Sequence, residues 1–253
     1  MSGKQRARVG IFDFACCEGC QIELTNVGPD VMLGLLDHIE IVEMREVTTD
    51  KTTEPLDIAL IEGSFTRESD RPRIEEIRKR AKIVIAYGAC ATTAGINALK
   101  NHRGDYKKFV YGKDAELPHL DSQKAQPISS VIPVDYFVNG CPIDTNELVY
   151  ILSSLLHGKD PVIPNHPVCV ECKMKETVCR YHAGDHCLGL MARAGCGAPC
   201  PADGIPCEAC RGFIDEPNHD SLIQVLIEKG GLSKERAENR SRMFNAAQRG
   251  DSQ

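Results

Sequence analysis

Short apolar runs recur through the first part of the chain, each followed by a polar or helix-like stretch. Arg8–Phe14 (RVGIFDF), Ile39–Val42 and Leu56–Ile61 have the length and composition of strands. Ile83–Tyr87 (IVIAY) is apolar without interruption, the pattern of a strand covered on both faces, and Val134–Val138 (VDYFV) is another strand. Asp30–Asp37 and Pro72–Lys82 read as helices between them. Thr145–His157 (TNELVYILSSLLH) has the clearest helical period, with Asp144 or Thr145 as its N-cap and Gly158 as its stop. Strands alternating with helices predict an α/β domain over residues 1–160, built on a doubly wound, mostly parallel sheet.

After Lys159 the pattern changes. Pro161, Pro164 and Pro167 interrupt regular structure, and a cysteine-dense segment with few apolar positions occupies residues 161–212. Hydrophobic burial alone is not expected to fold such a segment, so bound metal must supply much of its stability. The tail, residues 213–253, carries two helical stretches, Leu222–Lys229 and Ser233–Gln248. The second is charged on nearly every face, as expected of a solvated or partner-contacting helix.

Composition narrows the chemistry. A hydrophobic content of 42% suffices for a core, and a net charge of −6 argues against a nucleic-acid partner. No run has the length of a membrane span. Met1–Arg8 lacks the apolar stretch and cleavage site of a secretory leader and has no twin arginine, so a cytoplasmic protein is expected. Thiols stay reduced there, and thirteen cysteines, an odd total, read as metal ligands rather than disulfides. Without one member of the Cys16-Cys17 doublet the count is twelve, enough for three four-iron clusters.

Three cysteine sites follow strands directly. Cys17-Glu18-Gly19-Cys20 comes after the first strand. Cys90, in Gly88-Ala89-Cys90-Ala91-Thr92-Thr93-Ala94-Gly95, comes after IVIAY, and Cys141, in Asn139-Gly140-Cys141-Pro142, after VDYFV. Loops of this kind deliver thiolates to one sheet edge, the usual binding crevice of open α/β sheets. Any one of these cysteines taken alone is better read as a buried core residue. A zinc site is the other alternative, although zinc favours two local pairs over ligands spread from Cys17 to Cys141.

The set C-x-x-C, GAC-A-x-x-x-G and NGCP resembles the small subunit of nickel–iron hydrogenases. The resemblance runs to about residue 212. It implies a flavodoxin-like domain followed by an iron–sulfur segment, with Cys17, Cys20, Cys90 and Cys141 holding the proximal cluster nearest a nickel–iron centre on a separate large subunit. The related 20 kDa subunit of NADH:quinone reductase uses two adjacent cysteines instead, so Cys16 competes with Cys20. Cys20 is preferred, because that subunit neither needs it nor carries the eight-cysteine extension.

The other eight cysteines form two groups by spacing: Cys169, Cys172, Cys179 and Cys187, then Cys196, Cys200, Cys207 and Cys210. Two structural zinc sites remain an alternative for these C-x-x-C pairs. The resemblance implies a distal cluster on the first group and a medial cluster on the second. Cys172 and Cys200 supply fourth ligands, as in the soluble methyl-viologen-reducing, sulfhydrogenase-type and bifurcating enzymes. His166, His182 and His186 lie close enough to replace a cysteine, although histidines in polar loops are usually solvated. Glu18 and Glu62-Gly63 flank the proximal site and could support its ligands, although ordinary surface carboxylates are the preferred reading of both.

Together these readings predict an electron-transfer subunit with three four-iron clusters. Its expected partners are a nickel–iron large subunit and a further electron-accepting iron–sulfur or flavin subunit. A quinone-reductase-like subunit and a non-redox zinc scaffold are the competing readings.

Overall fold

The computed structural model describes residues 6–49, 51–112, 117 and 120–248. Its strands are β1 (Ala7–Asp13), β2 (Ile39–Met44), β3 (Leu56–Glu62), β4 (Phe65–Arg67), β5 (Ala81–Tyr87), β6 (Ser122–Gln126) and β7 (Tyr136–Val138). Five of them form one sheet in the order β2-β1-β3-β5-β7, with every pairing parallel. This is the flavodoxin-like, doubly wound order. Strands β4 and β6 form a separate antiparallel pair that the apolar pattern does not announce.

The helices are α1 (Gly19–Thr25), α2 (Pro29–Leu36), α3 (Arg71–Arg80), α4 (Ala89–Thr93), α5 (Tyr106–Tyr111), α6 (Thr145–Leu156), α7 (Cys169–Met174), α8 (Pro199–Ala202), α9 (His219–Glu228) and α10 (Lys234–Arg242). Asp144 caps α6, its side chain accepting from the amides of Asn146 (2.9 Å) and Glu147 (3.1 Å), and Gly158 turns the chain away with φ 68°.

Strand periodicity of two sends alternate residues to two cores. Ile58, Leu60, Ile85 and Tyr87 pack with Leu24, Leu148, Ile151 and Leu152 on one face. Ala59, Ile61, Val84 and Ala86 pack with Ile74, Ile77 and Ile128 on the other. Both faces are covered, and the carboxyl ends of β1, β3, β5 and β7 are held in register at a single edge.

Two expectations about the second half are revised. The cysteine segment does bury a core, but the tail supplies much of it: Val168, Leu188 and Phe213 pack against Leu222, Leu226, Leu232 and Ala237. Nor is the tail solvated on all sides. Helix α10 ends at Arg242 rather than Gln248, and the chain then turns to bury Ala246 beside Ala94, Ala98 and Ala125. The Thr93 hydroxyl donates to the Phe244 carbonyl (2.8 Å), and the Phe213 amide donates to the Gln248 side chain (3.2 Å). Among the described residues, no helix is long and apolar enough to cross a membrane.

Candidate metal centres

The first centre lies where β1, β5 and β7 end. Cys17 and Cys141 are exposed there, Cys90 is half-buried and Cys20 is buried. Helix α1 carries Cys20 in its first turn, and a residue distant in sequence fixes its N-terminus. Glu62, at the end of β3, accepts hydrogen bonds from the amides of Cys20 (3.3 Å) and Gln21 (3.2 Å). A carboxylate suits this position because helix N-termini leave amides unpaired and carry partial positive charge. Glu62 is 1% exposed, which corrects its reading as a surface group, and burial pushes its carboxyl pKa up. Glu18 stays near the surface, paired with Arg45 at 3.2 Å. Gly88 has φ 83°, and a Cβ built on it would stand 2.5 Å from the Cys20 sulfur; only glycine leaves that sulfur its place.

The electrostatics show these thiols acting on one another. Burial first, and then neighbouring charge, raises the Cys20, Cys90 and Cys141 thiols, with Cys90 pushed up to about 12. Cys20 feels Cys141 and Cys90, while Cys90 and Cys141 both feel Cys17. Cys16, also pushed up to about 12, feels Glu62 most after burial, and Cys90 is the cysteine that acts on it most. The structure thus brings Cys17, Cys20, Cys90 and Cys141 to one edge of the sheet, with Cys16 beside them and Cys90 acting on it as well.

The cysteine segment brings its two spacing groups to two cavities. Cys169, Cys172, Cys179 and Cys187 line one of about 110 Å3. Cys196, Cys200, Cys207 and Cys210 line another of about 280 Å3, which Cys141 also reaches. Among the described residues, no histidine lines either cavity. His182 is exposed, and His166 faces the Pro167 carbonyl at 3.5 Å. His186 departs from the solvated reading: it is 8% exposed and lies between Asp185 (3.0 Å) and Glu208 (3.4 Å).

Close contacts join the three centres in sequence. Cys141 reaches the cavity lined by Cys210, and its backbone opposes the burial-driven rise of the Cys210 thiol. The Cys207 amide donates to the Cys187 sulfur at 3.4 Å. The strand-edge centre therefore adjoins the Cys196–Cys210 centre, which adjoins the Cys169–Cys187 centre.

These donor sets suit a large cationic group. Burial and mutual repulsion hold the thiols protonated, and only bound metal would favour several thiolates facing one another. Among the described residues, no three His, Cys, Asp or Glu side chains converge tightly enough to hold one ion. Zinc needs sulfurs at about 2.3 Å from a single point. A cavity of about 110 Å3 exceeds the roughly 30 Å3 that one water occupies in the liquid, so several atoms fit.

Sequence reasoning missed a set of polar residues between the centres. Arg211 donates from Nε to the Ala194 carbonyl (3.0 Å), from Nη1 to the Asn139 carbonyl (2.6 Å) and from Nη2 to Glu147 (2.6 Å). Glu171, in α7, accepts from the Gly195 amide at 2.8 Å. An arginine beside Cys210 looks in sequence like any solvated charge, and no local pattern marks its partners. The buried small residues of the tail did leave a trace, since Ala237, Ser241 and Asn245 recur at helical spacing.

Residues 17–155 match the family described as NADH ubiquinone oxidoreductase, 20 Kd subunit. The chain is 33% identical over 222 residues to sulfhydrogenase 2 subunit delta of Pyrococcus furiosus, covering 87% of this chain and 92% of that one. It is 35% identical over 240 residues to a vhu subunit of the F420-non-reducing hydrogenase of Methanocaldococcus jannaschii, covering 83% of each. Among solved structures, a chain of an NAD+-reducing nickel–iron hydrogenase superposes with TM-score 0.57 at 26% identity, over 63% of this chain and 96% of that one. The actinobacterial-type nickel–iron hydrogenase of Ralstonia eutropha shares the fold (TM-score 0.54, 17% identity, 95% and 92% covered). In such enzymes the nickel–iron site lies on the large subunit that pairs with the small one. A core fold, a cysteine inventory and relatives at this similarity agree: the chain belongs to the NADH ubiquinone oxidoreductase 20 kDa subunit family and, within it, to the iron–sulfur small subunits of nickel–iron hydrogenases.

Proposed function

We propose that this chain is the electron-transfer subunit of a cytoplasmic hydrogenase. It would relay electrons from hydrogen oxidation on the large subunit, through three four-iron clusters, to a further iron–sulfur or flavin subunit. A four-iron cluster, when bound, takes up and releases one electron with little change in geometry. The observation that carries the reading is adjacency: Cys141 reaches the cavity lined by Cys196, Cys200, Cys207 and Cys210, and the Cys207 amide donates to the Cys187 sulfur, which orders three cysteine sets into a path.

On this reading Cys17, Cys20, Cys90 and Cys141 hold the proximal cluster, within residues 1–160. Cys196, Cys200, Cys207 and Cys210 hold the medial one, and Cys169, Cys172, Cys179 and Cys187 the distal one, within residues 161–212. The exposure of Cys17 and Cys141 is compatible with a large subunit covering the proximal set; Cys179 and Cys200 are exposed in the other two sets. Glu62 keeps α1 and hence Cys20 in place. Gly88 keeps the backbone clear of sulfur. The density of cysteines supports a reducing compartment.

Anaerobic iron, sulfide, zinc and nickel analysis of the complex purified through this chain tests the proposal, with EPR after reduction. About twelve iron per chain and nickel on a co-purifying subunit are expected. Zinc without iron overturns it. About four iron with bound zinc would favour the quinone-reductase alternative, with a cluster at the sheet edge alone.

A further inference from the structure

Arg211 sits at the junction of all three centres. It follows Cys210 directly, and its guanidinium spends its donors on three different segments: Asn139, two residues before Cys141; Ala194, two before Cys196; and Glu147 in α6. The next residue after Ala194, Gly195, donates its amide to Glu171, which lies between Cys169 and Cys172. One connected polar network thus touches the loop or helix that carries a cysteine of each set. The Arg211–Glu147 ion pair is buried, with side chains 2% and 8% exposed.

The backbone is shaped to admit this pair. Gly195 has φ 117°, and a Cβ built on it would stand 2.4 Å from Arg211 Nη2 and 2.8 Å from Glu147 Oε1. No side chain fits where the pair lies, and L residues rarely adopt that φ. Desolvating two charges is costly and is often neutral for stability at best. A buried pair here therefore calls for an explanation other than stability.

We propose that Arg211 is a positioning residue: with Glu147 it fixes the placement of the central cluster against its two neighbours and sets that cluster's reduction potential. The inference rests on the three-cluster reading above. Reduction adds negative charge to a centre already ligated by thiolates. A guanidinium against that centre favours the reduced form, and the carboxylate that partly neutralises it has the opposite effect. Arg211 itself lines the cavity formed by Cys196, Cys200, Cys207 and Cys210.

The test is an EPR-monitored redox titration of the anaerobic complex carrying Arg211→Met, Arg211→Lys or Glu147→Gln. Arg211→Met is expected to shift one cluster's reduction equilibrium about tenfold toward the oxidised form, about 59 mV for one electron. Glu147→Gln should shift the same signal the opposite way, and Arg211→Lys should stay near the unmodified value. Both neutral variants should also alter the magnetic coupling between neighbouring clusters. If Arg211→Met loses iron, Glu147→Gln decides alone, and an unmoved potential overturns the proposal. Shifts of the same sign in both variants would mean simple loosening and also overturn it. An unmodified complex with fewer than three four-iron signals defeats the functional reading, and this inference with it.

Discussion

The strand-edge centre and the cysteine segment hold thiols by opposite means. At the strand edge the cysteines are far apart in sequence, and two apolar cores and a parallel sheet bring them together. In the segment the ligands are neighbours in sequence, carried on short helices and turns, and one mixed core shared with the tail supports them. A centre on a pre-formed scaffold survives the loss of its metal; a centre that is itself the scaffold does not. The difference is in where folding free energy comes from, and it can be tested region by region.

The sharpest break is metal removal. Chelating iron anaerobically should leave slow amide exchange in β1, β3 and β5 and abolish it across residues 169–210, because binding free energy there is folding free energy. Equal protection in both regions would refute the contrast. A core truncation should follow the same line. Leu226→Ala removes a fully buried side chain from the shared core, at a cost of about 2–5 kcal/mol. It should reduce iron from about twelve to about four per chain, with the strand-edge EPR signal kept.

Gly88→Ala inverts the experiment. The added methyl meets the Cys20 sulfur and must adopt a positive φ, a strain of about 1–3 kcal/mol. Loss of about four iron is expected, with the segment's about eight retained. Full iron in this variant would show that Cys20 is no ligand and would bring Cys16 forward. The smallest effect belongs to Asp57, at the opposite end of β3 from Glu62. Lys82 at 2.7 Å, with the Arg8 amide, holds its carboxyl below the usual carboxylate range. A lowered folded pKa gives stability that is present above the unfolded value and lost as pH falls through the folded one. Asp57→Asn should therefore cost at most about 0.5 kcal/mol near neutrality, since the pair is partly exposed. Thermal melts of both proteins should converge as the pH falls below about 4.

The sequence made the scaffold legible because continuous apolar runs such as Ile83–Tyr87 can satisfy their burial in few ways. The cysteine groups were legible for a different reason: spacing alone pairs Cys169 with Cys172 and Cys207 with Cys210. Strand β6 (SQKAQ) was not legible, since it is polar and depends on β4 for its pairing. Helix α1 escaped because seven residues give no period, and Glu62, which anchors it, lies some forty residues on. In α10 the buried positions Ala237 and Ser241 sit four residues apart, a faint helical period easily passed over among so many charges. Arg211 and its partners stayed hidden because their contacts are long-range and no spacing rule connects residues 139, 147 and 211.

The tail's place in the third core has a consequence for biosynthesis. A ribosome that has just added Cys210 has made all twelve thiols of the three sets, but not Phe213, Leu222, Leu226 or Ala237. Met243 and Phe244, which wall the larger cavity, come later still. The walls of the larger cavity are therefore complete only once the tail has packed, with the Thr93 hydroxyl bonded to the Phe244 carbonyl.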